Sequence, residues 1–274
     1  MRSIVILAYD GDLGRCCPGG FASYILSSNP DAKGVGISLP IDQRGHQYSL
    51  EHWLRPRIKL KWADLTYYKL HPAARELRGK RLQQFPDSYK DFDLVLLDCH
   101  YLHDQYLSPG LAQPEPWDIH RLWLSQIIIA LQAVKDGGTI VMKLSHVEGT
   151  TTAQNLYLLD VLSSELQTYK PRRALAKRGT FYAIAKGVGY GPKGSLKAEY
   201  IRKYQELWYD VSFGGEEGKG RWSSIDDLEF IASYEKLADE YLERLADLGK
   251  NPWITQTHGL KDMFERAGNN YSKF

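Results

Sequence analysis

The chain has 274 residues, 43% of them hydrophobic, with 35 Lys and Arg against 33 Asp and Glu and a formal net charge of +2. That length and apolar content suffice for one large core, alone or with an appended segment, and the near-balance of charge excludes nucleic-acid binding by bulk positive charge. Only local clusters of basic residues can carry such a role.

The first apolar run, SIVIL (3–7), reads as a strand. It is followed by DLGRCCPGGFASYIL (12–26), in which a stiff, glycine-bearing turn opens directly into a helix over GGFASYILSS (19–28). Glycines at a first strand-to-helix turn let the main chain approach a ligand, because no side chain intervenes. The turn has neither the GxGxxG pattern of a dinucleotide site nor a following GK[ST] of a phosphate loop. GVGISL (34–39) reads as the next strand, its glycines serving strand packing. A third strand is possible before Asp64 in KWADLT (61–66), and FDLVLLD (92–98) is a further one, apolar on both faces. HYLHDQYLSPGLAQPEPWDIH (100–120), rich in His, Tyr and Pro, reads as a long loop suited to a substrate lid. Its His100, His103 and His120 have no metal-site spacing.

IHRLWLSQIIIALQAVKDGG (119–138) reads as a long amphipathic helix closed by glycine, GGTIVMKL (137–144) as a strand, TAQNLYLLDVLSSELQ (152–167) as another helix and GTFYAIAKG (179–187) as a last strand. The alternation predicts an α/β fold with a buried, mostly parallel sheet. After residue 190 the pattern turns wholly helical, with KAEYIRKYQELWYD (197–210) and SIDDLEFIASYEKLADEYLERLADLG (224–249) joined by FGGEEGKGRW (213–222). The expected organisation is a domain over residues 1–190 and a helical extension or cap over residues 191–274.

Three cysteines, Cys16, Cys17 and Cys99, form neither a disulfide framework nor paired zinc motifs, which fits a reducing compartment and argues against structural zinc. No apolar run approaches the ~20 residues that span a bilayer, and residues 1–7 lack a signal-peptide cleavage region. A soluble intracellular protein, cytoplasmic or nuclear, is the expectation.

Taken in order, DLG…PGGF, AKGVGISL, FDLVLLD, LSQIIIALQAVKDGGTIVMKL and KPRRALAKRGTFYAIAKG, covering about residues 12–187, resemble the FtsJ-like (RrmJ-type) ribose 2′-O-methyltransferases. The resemblance implies a Rossmann-like methyltransferase fold, S-adenosylmethionine as cofactor and an RNA ribose hydroxyl as acceptor. It implies cofactor contacts from Gly14, Pro18, Gly19, Gly20 and Phe21 in the turn, and from Ser38, Asp64 and Asp98 beyond it, with Cys16 and Cys17 as small space-fillers. The family's lysine, aspartate, lysine, glutamate tetrad is matched by Asp98 and Lys143 at two strand ends. Thr180 stands where the glutamate is expected, and no residue matches the first lysine. Asp12 is spaced from Pro18 by one residue more than in the family's usual turn, and no acid follows GVGISL, where Ser38 and Leu39 stand.

Several readings stay open on residues alone. Asp64 suits either the adenine end of the cofactor or an ordinary helix cap. Arg55, Arg57, Lys59 and Lys61, and again Lys170, Arg172, Arg173, Lys177 and Arg178, are interleaved with aromatics in a way that suits RNA backbone and bases, or simply a solvated loop. The chain could be an RNA ribose methyltransferase, a non-catalytic binding module on the same fold, or a methyltransferase of small molecules. Lys143, at a strand end, is expected to be dispensable for folding.

Overall fold

The structure, a computed structural model, describes residues 3–9, 19–43, 45, 47–99, 115–173 and 175–271. Seven strands form its sheet: β1 (Ser3–Tyr9), β2 (Lys33–Ser38), β3 (Ile58–Trp62), β4 (Phe92–Cys99), β5 (Val134–Ser145), β6 (Glu165–Tyr169) and β7 (Thr180–Lys186). Their spatial order is β6-β7-β5-β4-β1-β2-β3. The pairs β2–β3, β1–β2, β1–β4 and β4–β5 are parallel. The two-sided apolar runs of β1 and β4 fall at the centre of the sheet, as they must if both faces are to be covered.

The sheet is mostly parallel, as expected, with one antiparallel strand next to an edge. β7 is antiparallel to both β5 and β6, and β6 was hidden in what read as one helix over 152–167. That helix, α3 (Thr150–Leu162), stops where the Ser163 hydroxyl donates to the Leu159 carbonyl at 2.6 Å. SSELQ then turns into an edge strand that buries only Leu166. With one buried residue it has too little apolar alternation to announce itself. The preceding helix, α2 (Asp118–Ala133), likewise ends before its glycines, with β5 beginning at Val134.

Period-two alternation divides the sheet into two faces. Leu94 and Leu96 of β4 join Ile4, Ile6, Ala22 and Leu26 beneath α1 (Gly20–Ser28), whereas Val95, Leu97, Met142 and Leu144 belong to the larger core with α2 and α3. Gly34 in β2 is required by close approach: a Cβ there would lie 2.4 Å from both the side chain and the carbonyl oxygen of Ile4.

The helical extension shares the larger core. α4 (Lys197–Phe213) lies on α2, where the fully buried Trp208 donates its indole N–H to the Ser125 hydroxyl at 3.0 Å. The last helix, α5 (Leu242–Tyr271), runs along β6 and covers that sheet edge. It is held by Arg244, whose guanidinium bonds both Asp160 oxygens at 3.1 Å and the Leu166 carbonyl at 2.9 Å. No helix among the described residues is long and apolar enough to cross a membrane.

Candidate active site

Asp98 lies one residue before the end of β4 and Lys143 two before the end of β5, and the same parity aims both at the α1 face. Asp98 continues Leu94 and Leu96, while Lys143 follows Val141, which packs against the α1-side cluster. Their side chains meet, with Lys143 Nζ 3.3 Å from Asp98 Oδ1 and each only 6% exposed. Tyr182, directly across from Lys143 in the β5–β7 ladder, donates its hydroxyl proton to the same Asp98 oxygen at 3.2 Å. Phe21, from the first turn of α1, packs its ring edge-to-face on Tyr182 with centroids 5.4 Å apart. The glycine turn is thereby tied to the carboxylate–ammonium pair through one aromatic contact.

Sequence reasoning missed Tyr182. The signal lay in the alternation of TFYAIAK, which puts Thr180 and Tyr182 on one face of β7, the face of Lys143. A shielded ammonium held by a carboxylate that a phenol in turn fixes is a localised positive charge. Such a charge can stabilise an oxygen that gains negative charge as it reacts.

Of the turn residues, Gly14 and Pro18, with Asp12, Cys16 and Cys17, lie outside the described residues, as do His100 and His103. Gly19 caps α1 without a side-chain hydrogen bond, the first turn of α1 carries no acidic residue, and a Cβ built on Gly20 meets no described atom within 4 Å. Leading helix amides, linked through Phe21 and Tyr182 to a buried carboxylate, fit an amino-acid-like cofactor end that carries both a carboxylate and an ammonium. Ser38, 3% exposed, ends β2 on the α1 face. Asp64 takes the capping role: its Oδ1 accepts from the Thr66 amide at 2.8 Å and from the Thr66 hydroxyl at 2.7 Å, opening a short 3-10 turn over Leu65–Tyr67.

A model of the family described as FtsJ-like methyltransferase matches residues 11–188. The chain belongs to that family. This FtsJ-like enzyme is a SAM-dependent methyltransferase with the Rossmann-like methyltransferase fold. Among solved structures, it is similar to a protein described as a ribosomal RNA methyltransferase from Plasmodium falciparum, at 17% identity over 68% of this chain and 86% of that one, with a TM-score of 0.39. It is also similar to the N-methyltransferase NodS of Bradyrhizobium japonicum, at 11% identity over 68% and 86% of the two chains, with a TM-score of 0.37. No curated protein sequence matches it.

Thr180 of the FtsJ-like enzyme begins β7, 8% exposed, on the face of Tyr182 and opposite Ser145. Its carbonyl accepts from Lys170 Nζ at 2.7 Å, and the same ammonium also binds the Arg178 carbonyl. Lys170 is therefore a buried brace of the β6–β7 connection, 1% exposed, with its pKa pushed down by burial; it cannot serve as an RNA contact. Arg172, Arg173, Lys177 and Arg178 in that connection are exposed. Because β7 runs antiparallel to β5, the connection emerges at the carboxyl ends of the parallel strands, the same rim as Lys143.

The other basic stretch of the FtsJ-like enzyme is placed differently. Arg55 and Arg57 precede β3, at the amino ends of the strands, on the sheet edge opposite β6 and six interstrand spacings of about 4.8 Å away from it. Arg57 is a structural cap, donating to the Leu26 and Ala32 carbonyls at 2.9 Å and also to Asn29, and so satisfying the carboxyl end of α1. Arg55 donates to the Leu50 carbonyl and stacks over Tyr48, and Lys61 lies over the Tyr68 ring, while Lys59 is exposed. Arg57→Ala is expected to lower stability by about 2 kcal/mol, the loss of hydrogen bonds from a charged donor, read by urea denaturation. Retention of RNA measured by filter binding should be unchanged; a fall in RNA affinity without a loss of stability would reverse the assignment.

Proposed function

We propose that the enzyme transfers a methyl group to a ribose 2′-hydroxyl of RNA, with Lys143 and Asp98 as the reacting centre. The observation that carries this reading is the shielded Lys143–Asp98 pair, joined by Tyr182, at adjoining strand tips. When bound, S-adenosylmethionine supplies an electrophilic methyl group. The first-turn amides at Gly19, Gly20 and Phe21, with Ser38, Asp64 and Asp98, would hold it. A ribose hydroxyl is a poor nucleophile, so the protein has to orient it and ease the loss of its proton. Lys143 offers a donor and a positive charge to that oxygen, and Asp98 and Tyr182 fix where the charge sits. Thr180, on the same face, adds a hydrogen-bonding hydroxyl but no charge. Arg172 and Arg173, on the rim of that site, suit the phosphates flanking the acceptor, with Lys59 and Lys61 of β3 as more distant contacts. Residues 1–190 form the catalytic unit in this reading and residues 191–274 its helical cap.

The test is methyl transfer from tritiated S-adenosylmethionine to unmodified ribosomal RNA, followed by alkaline hydrolysis. A 2′-O-methyl group blocks cleavage at its own nucleotide, so the label is expected in alkali-stable dinucleotides. Label released as mononucleotides would mean base methylation and reject the ribose reading.

A further inference from the structure

A cavity of about 370 Å³ lies on the other face of the sheet from the Asp98 carboxylate, between α2, α3 and the chain that follows α4. Met142 lines it from the sheet, Trp123 and His120 from α2, Thr151 from α3, and Leu228 from the chain after α4. Lys143 and Ser145 border it at the tip of β5. Lys143 is the residue whose ammonium meets Asp98, so the cavity and the reacting centre adjoin at one strand end.

We propose that this cavity receives the unpaired base of the acceptor nucleotide, while its ribose reaches over the strand tip to Lys143; the inference rests on the RNA reading above. Its size lies at the low end of the roughly 300–1,000 Å³ found for small-molecule sites. That is room for one nucleoside-sized group, and a stacked helix cannot enter. The lining is mainly apolar and includes a tryptophan and an imidazole, with a hydroxyl at Thr151. Such a lining suits a flat heteroaromatic ring with a polar edge, the way single-stranded bases are generally bound.

The wall contributed by the extension is preorganised. The His120 ring bonds the Ser223 hydroxyl and meets the edge of Trp222 with centroids 5.2 Å apart. Ser224 and Asp227 form a reciprocal capping box, and Arg221 grips both Asp227 oxygens at 2.8 Å. Burial pushes the His120 pKa down, against the opposing pull of the Asp227 carboxylate. The extension thus restricts the acceptor to a nucleotide that can leave its stack, a loop, a bulge or an end.

Two substitutions narrow the cavity from exposed positions on its lining, Thr151→Trp in the first turn of α3 and Ile119→Trp in the first turn of α2. Each is measured for the KM of ribosomal RNA, for S-adenosylmethionine affinity by calorimetry, for thermal melting, and for binding of the four free ribonucleosides by saturation-transfer NMR. The expected result is a KM for RNA raised at least about ten-fold, loss of the nucleoside signal, and unchanged cofactor affinity and melting. RNA methylation with an unchanged KM in both folded variants would overturn the cavity assignment and leave the ribose reading intact. If the wild-type enzyme methylates no RNA, the ribose reading fails, and the nucleoside signal alone decides the cavity: its loss in the variants supports the assignment, and its absence from the wild type, or persistence in both variants, overturns it. Should one variant fail to fold, the other gives the reading.

Discussion

Lys143→Ala is expected to lower methyl transfer by about 10²–10³-fold, the usual effect of removing one group that stabilises developing charge, with kcat falling more than KM rises. The same change is expected to cost about 3 kcal/mol of stability, in contrast to the expectation that a strand-end lysine is dispensable for folding. Burial is the reason. Lys143 and Asp98 are each 6% exposed, so removing the ammonium leaves a carboxylate shielded from water, with Tyr182 still donating to it. Single-turnover transfer and chemical denaturation on the same preparation separate the two effects. Lys143→Met keeps the aliphatic stem and should recover part of the packing but none of the activity. Turnover that survives either substitution would remove Lys143 from the chemistry.

Thr180→Glu is expected to raise kcat by about ten-fold, because it returns a carboxylate to the face on which Lys143 and Tyr182 stand. In the β5–β7 ladder Thr180 pairs with Ser145 and Tyr182 with Lys143, which makes Thr180 and Lys143 diagonal neighbours about 7–8 Å apart, a gap that a glutamate side chain can bridge. Thr180 is 8% exposed, so the new carboxylate would be stabilised chiefly by contact with the ammonium, and the variant should lose some stability if that contact does not form. Steady-state transfer to RNA at several pH values is the measurement. An unchanged rate in a folded variant would show that the missing charge does not limit this enzyme.

How far the site was legible depended on how local its signals were. Asp98 and Lys143 each end an apolar run, so their place at the sheet's rim follows from the position of the run. Tyr182 was not found, since it sits inside a strand where an aromatic residue ordinarily means packing, and only pairing with β5 sets it against Asp98. The roles of Arg57 and Lys170 are silent in sequence for a related reason. Charged residues in basic stretches read as solvent-facing, yet Arg57 caps α1 and Lys170 is sealed between two carbonyls. In both cases the partner is a main-chain oxygen, a group present at every residue and therefore silent in sequence. Asp64 showed the opposite: its cap was one of two readings open from KWADLT, and the short range of a capping bond made that reading available.

By itself the sequence determined the alternating α/β plan, the strand-tip positions of Asp98 and Lys143, the family, and the switch to a helical carboxyl region, because period, turn chemistry and motif order are properties of neighbouring residues. The tertiary structure alone decided that β7 runs antiparallel between β5 and β6, that Tyr182 joins the buried ion pair with Phe21 packed on its ring, and that the chain following α4 walls a cavity beside Lys143. Those features bring together residues separated by tens of positions, and burial and strand pairing, which no local pattern encodes, choose among the contacts they could make.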